Sequence, residues 1–136
     1  MLQIAASEAG LAMLNSSGGP ASGISYPLGV HFKVPHGFAG GLLLPAVIRE
    51  NLELGFKGYS FFEDAGSDGW KFLSRLENLY LQIEAPGDFS SWGFKSNSDL
   101  ELIVKLTLDQ RIANLKLNPV PFSEQNVRNV LNGFIR

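Results

Sequence analysis

Cysteine is missing from all 136 residues, so the chain has no disulfide, no thiolate nucleophile and no cysteine-held zinc or iron–sulfur cluster. Histidine is nearly as scarce: His31 and His36 are the only two. Charge is sparse too, at 18% of residues with a formal net charge of −2. The Lys and Arg residues are scattered, which argues against the basic footprint of a nucleic-acid binder. No apolar run reaches the roughly 18 residues that a membrane-spanning helix needs. Residues 1–14 carry Glu8 and lack a basic leading stretch, so they do not read as a signal peptide. No stretch reads as a convincing strand, and no internal repeat is visible.

What remains is helical. The 45% hydrophobic content and the length fit a single all-α domain over residues 1–136, a helical bundle. Residues 2–15 read as an Ala- and Leu-rich helix with Leu2, Ala5, Ala6, Ala9 and Met13 on one face. It begins without a capping residue, as a cut through a longer chain would. Residues 21–33 read as a glycine-interrupted helix with Ile24, Leu28 and His31 or Phe32 on one side. A helix from Pro35 to about Leu54 follows, with Pro35 as its first residue. Phe38, Leu42, Pro45, Ala46 and Arg49 mark one stripe of it, and Leu43, Val47 and Leu54 another. A helix apolar on most sides belongs in the middle of a bundle. Pro45 inside it predicts a kink or a break, and Gly40-Gly41 a close approach.

Beyond it, residues 55–66 hold a short aromatic-rich turn or helix. Ser67-Asp68 caps a helix carrying Phe72, Leu73, Leu76, Leu79, Tyr80 and Ile83, which runs to Ala85. Phe89, Trp92 and Phe94 are expected to plug the core from a loop. Ser98 and Glu101 have the spacing of a capping box. The helix behind it carries Leu100, Ile103, Val104 and Leu108, and a separate short helix or turn follows from Asp109 to Leu117. Asn118-Pro119-Val120-Pro121 is a rigid connector. Ser123 caps a last helix with Val127, Val130, Leu131 and Phe134 on one face.

The stretch from Pro20 to Asn51 concentrates the chemistry. It holds both histidines, four of the seven prolines and the longest apolar run. His36 follows a proline at a helix start, where a histidine can ligate a metal or bond the backbone of a turn. His31 and His36 straddle a proline turn and match no helical ligand pair. Ser22, Ser25 and Tyr26 lie near them in sequence.

Pro35-His36-Gly37 and Leu43-Leu44-Pro45-Ala46-Val47 carry a resemblance, joined by Tyr26-Pro27-Leu28-Gly29, Leu108-Asp109 and Asn118-Pro119. The chain resembles the C-terminal helical domain of the iron-containing alcohol dehydrogenases. In that family a segment H-x-x-x-H-P-L-G precedes P-H-G-x-x-x-x-x-L-L-P-x-V. The likeness covers most of the chain and is loosest between residues 55 and 97.

The resemblance implies a divalent metal (iron or zinc), held by an aspartate and three histidines, and a nicotinamide cofactor, NAD(P), on a preceding nucleotide domain. Carried over by position, His36 matches the last metal histidine. The preceding metal histidine falls on Ser22, a poor divalent ligand, and the non-ligating histidine with a proton-relay role falls on Tyr26. The remaining aspartate and histidine would lie upstream of Met1. The expectation is therefore a fragment or degenerate relative, inactive alone, with His36 a vestigial ligand and no cofactor in this chain by itself. Two other readings are a free-standing helical binding module and the C-terminal half of a split NAD(P)-dependent enzyme. Self-association or a nucleotide-domain partner chain is expected, with no nucleic acid, no membrane and a cytoplasmic location.

Overall fold

Proline sets where the central helices start. The computed structural model describes residues 1–63 and 67–135, which hold α-helices, short 3₁₀ turns and no strand. In chain order the helices are α1 (Leu2–Asn15), α2 (Pro20–Phe32), α3 (His36–Glu53), α4 (Trp70–Gln82), α5 (Asn97–Lys116) and α6 (Glu124–Asn132), an all-α fold. Pro20 sits in the first turn of α2, where its missing N–H costs nothing. Pro35 caps α3 rather than opening it, one place earlier than expected, and His36 is the first helical residue.

Helix α3 lies in the middle, against α2, α4 and α6. Ala39, Leu42, Leu43, Val47, Ile48 and Leu52 are buried along it. Arg49 and Leu54, expected on its apolar stripes, are exposed, and Arg49 pairs with Glu77 of α4. Pro45 does not break the helix. It has no N–H for the carbonyl of Gly41, four residues back. The Tyr80 hydroxyl, on α4, donates to that carbonyl at 2.7 Å and supplies the missing bond. The helix closes where Gly55 takes φ 87°. There the amides of Gly55 and Phe56 return to the carbonyls of Leu52 and Asn51. Gly40 and Gly41 do not mark a forced approach: an added Cβ would meet Ser25 Oγ at 4.0 Å or Tyr80 Oη at 3.8 Å, ordinary contacts. The tight crossing is at Gly23 of α2, where a Cβ would stand 2.9 Å from the Cβ of Asn114 on α5.

The C-terminal half of α3 is polar inside. Buried Glu50 accepts from the side-chain amides of Asn126 (2.8 Å) and Asn129 (3.3 Å) on α6. Buried Asn51 exchanges amide bonds with Asn118 (2.6 and 3.1 Å) and donates to the Tyr59 hydroxyl (2.8 Å). These bonds tie α3 to α6 and to the connector through Asn118, and each satisfies a group that would be costly to bury alone.

The remaining elements follow their local signals with some displacement. A 3₁₀ turn, Gly58–Phe62, forms the aromatic stretch, and residues 64–66 of that expectation lie outside the described residues. Helix α4 is capped by Gly69 at φ 91° rather than by Ser67-Asp68, although the Asp68 carboxylate accepts the Trp70 N–H at 3.2 Å. It ends at Gln82, short of Ala85, and of its expected stripe only Leu73 is fully buried; Leu79 and Ile83 are exposed. Phe89 and Phe94 flank the 3₁₀ turn Ser90–Trp92 and plug the core as expected, with the Phe89 ring 4.9 Å from that of Phe134 in a tilted pair.

The capping box of α5 is Ser96 with Asp99, not Ser98 with Glu101. The Asp99 carboxylate reaches back to the N–H of Ser96 (2.9 Å) and of Lys95 (3.1 Å), whereas Glu101 is drawn to Arg128 of α6. The short helix expected from Asp109 to Leu117 is present as the second piece of α5: the backbone leaves helical geometry at Arg111 (φ −130°, ψ 18°), two residues past Asp109, and a second helical piece runs on to Lys116. Helix α6 has its Ser123 cap, completed by Asn126, and buries Val127, Val130 and Leu131; Phe134, expected on the same face, is buried just beyond the helix end. Helix α1 forms where expected but buries nothing: Leu2 is 88% exposed and Met13 63%. Its apolar face has no partner among the described residues.

Two outcomes follow from these bonds. Tyr80→Phe keeps the ring and removes the donor to Gly41, so it should cost about 1–3 kcal/mol, read as a lower urea midpoint with unchanged slope; an unchanged midpoint would show that the carbonyl finds water instead. The Asp99 carboxyl is held below the usual aspartate range, chiefly by the Ser96 hydroxyl and then by the Lys95 amide. A folded-state value below the unfolded one gives stability that is complete above the unfolded pKa and is lost as pH falls through the folded one. The gap in urea midpoint between the native chain and Asp99→Asn should therefore be full near neutrality and close below about pH 4.

Candidate functional site

The turn between α2 and α3 builds the site. Helix α2 ends at Lys33, which takes the left-handed conformation (φ 58°, ψ 26°) and returns its ammonium to the Val30 carbonyl at 2.8 Å. Val34 is then buried as a plug, and Pro35 turns the chain into α3. This reversal sets the first residue of α3, His36, beside the outer face of α2.

An open cleft of about 310 Å³ lies there, lined by Ser25, Tyr26, Gly29, Val30, Val34 and His36. His36 is exposed and has no hydrogen-bond partner among the described residues, so it is not a turn histidine bonded to backbone. Tyr26 is 45% exposed and shares the cleft. Ser22 does not line it; it is half-buried and turned toward the α1–α2 linker, where a Cβ on Gly18 would stand 2.5 Å from its own. Ser25 stands in the cleft instead, with its hydroxyl donating to the Ser22 carbonyl at 3.0 Å. His31 is exposed in the last turn of α2, away from the cleft lining.

Sequence reasoning missed Arg111. Its guanidinium carbon lies 3.4 Å from the centroid of the Tyr26 ring, a cation–π contact from α5 to α2. The only signal available for it was the weakened helical pattern after Leu108.

The resemblance implies a divalent metal, and the donors of the cleft decide whether one fits. Such an ion takes three or four donors from histidine, carboxylate or thiolate. The cleft offers one imidazole, a phenol and a hydroxyl already engaged as a donor. Among the described residues no three His, Asp or Glu side chains come together as a ligand group. These residues do not fit the metal. No helix among the described residues is long and apolar enough to cross a membrane.

A comparison with curated proteins returned no match. The sequence model for the Fe-containing alcohol dehydrogenase family, C-terminal, matches residues 1–134. With the helical fold and the Pro35-His36-Gly37 turn in place, the chain belongs to the Fe-containing alcohol dehydrogenase family and represents its C-terminal helical domain.

Proposed function

We propose that this chain keeps the family's helical scaffold without its metal chemistry, and that the cleft between Tyr26 and His36 is what is left of the alcohol site. One observation carries the reading: the donor set around His36, with Tyr26, Ser25, Val30 and Val34 and no second histidine or carboxylate. One imidazole holds a divalent ion weakly, so no step that polarises an alcohol oxygen follows from these residues. A dinucleotide would have to sit on a nucleotide domain, on this chain or another. Hydride transfer by residues 1–136 alone is not expected, and the proposed setting is cytoplasmic.

A second reading has its own support. Helix α1 exposes Leu2, Ile4, Leu11, Met13 and Leu14 and carries a single charge, Glu8. An isolated helix of this length is marginal in water without cover. In this reading α1 is a binding element for a second copy of the chain or for a nucleotide-domain chain, and the molecule is an interaction module or the C-terminal half of a split enzyme.

Zinc and ferrous ion separate the first reading from a working metal site. A site of micromolar Kd at a hundredfold excess of metal adds about 2.7 kcal/mol, or roughly 5–15 °C in melting temperature. The expected rise for residues 1–136 is below about 2 °C. A large rise at micromolar metal would sink the proposal, because it would require ligands beyond His36. For the second reading, light scattering should show association that grows with concentration and is abolished by Leu11→Lys with Leu14→Lys. A clean monomer at high concentration would count against it.

A further inference from the structure

Three features meet at Arg111. The backbone of α5 leaves helical geometry at this residue. The guanidinium carbon lies over the Tyr26 ring, 3.4 Å from its centroid. Its Nε is buried with no acceptor, and no carboxylate pairs with it among the described residues. A kink and an unanswered N–H are both unfavourable, so the packing around Arg111 is not explained by local helix stability.

Tyr26 explains what they accomplish. Its ring is nearly half exposed and makes no hydrogen bond among the described residues, so burial alone does not fix it. The approach of α5 that does fix it depends on Gly23, one turn earlier on α2. A Cβ there would meet the Cβ atoms of Asn114 and Arg111 at 2.9 and 3.7 Å. Asn114 holds the crossing from its other side, donating to the Gly18 carbonyl at 2.6 Å. Gly23 admits α5, the kink turns residue 111 across α2, and the guanidinium settles on the ring.

We propose that Arg111 is the positioning residue of the His36 cleft: it holds the Tyr26 ring as the cleft wall, so that the wall and the kink in α5 form one coupled element. The planar, delocalised guanidinium suits this contact, and an ammonium reproduces it only in part. The proposal rests on the Tyr26–His36 cleft being the site, and it does not depend on whether a metal binds there.

The test uses the full chain and NMR. The Arg111 Nε–H is expected upfield of ordinary arginine resonances, because it lies in the ring current of Tyr26. The shift should be kept in Tyr26→Phe and lost in Tyr26→Leu. The His36 ring resonances should move in Arg111→Ala and in Tyr26→Leu, little in Tyr26→Phe, and by an intermediate amount in Arg111→Lys. The Cα shifts of residues 110–112 should become more helical wherever the stack is lost. If Arg111→Ala does not fold, Arg111→Lys and Tyr26→Leu carry the same readouts. An ordinary Nε–H position in the native chain, or His36 resonances indifferent to the stack, would overturn the proposal and leave Arg111 as packing only. A metal-induced rise in melting temperature with the Arg111 signature intact would refute the metal-free reading and leave this one standing.

Discussion

A polar group can enter a packed interior only if a partner enters with it. Helix α3 is where this chain meets that constraint. Its middle carries a proline that orphans the Gly41 carbonyl, and its C-terminal half buries a carboxylate and an amide, Glu50 and Asn51. Tyr80 answers the first from α4. Asn126 and Asn129 answer the second from α6, and Asn118 and Tyr59 answer the third. Helices α4 and α6 are thus fixed by which of the polar groups of α3 they satisfy, as well as by apolar contact. An apolar seam tolerates sliding, whereas a reciprocal amide pair such as Asn51–Asn118 is satisfied in one register only.

That constraint also decides how much could be read from the chain. The helices were legible because their apolar residues recur at helical spacing, and the start of α6 was legible because the Ser123 cap and the Val127 stripe agree. Pro45 left open whether the helix kinks or breaks, because a proline in a helix announces a lost bond but not the donor that replaces it. Tyr80 lies 39 positions away in sequence. The start of α5 did mislead. The serines at 96 and 98 both offer a cap, and the choice between them was made by Asp99 reaching back and by Arg128 drawing Glu101 away. The face assigned to α1 illustrates the limit of periodicity, which finds an apolar stripe but not what covers it.

The candidate site divides in the same way. Pro35-His36-Gly37 placed His36 at a helix start, and position placed Tyr26 near it; both stand in one cleft. Ser22 does not, because the turn of α2 that carries it faces Gly18. Ser25 takes the space, and nothing local to Ser25 distinguishes it from Ser22. Arg111 could not be paired with Tyr26 from its neighbours: the helical pattern weakens after Leu108, but a cation–π contact between two helices leaves no periodic trace of its own.

These differences bear on chemistry through what holds the cleft together. In a metal site the ion supplies the tie: its ligands come from separate helices, and coordination fixes their side chains against one another. Around His36 no such ligand group exists among the described residues. The tie between α2 and its neighbour is instead a guanidinium on a phenol ring, reached by a kink and admitted by Gly23. A tie of this kind orients Tyr26 and closes one side of the cleft, but it presents no Lewis acid to a substrate oxygen. On the proposed reading the fold persists while the electrophile is lost, because the polar groups of α3 are satisfied by this chain's own side chains, Tyr80, Asn118, Asn126 and Asn129.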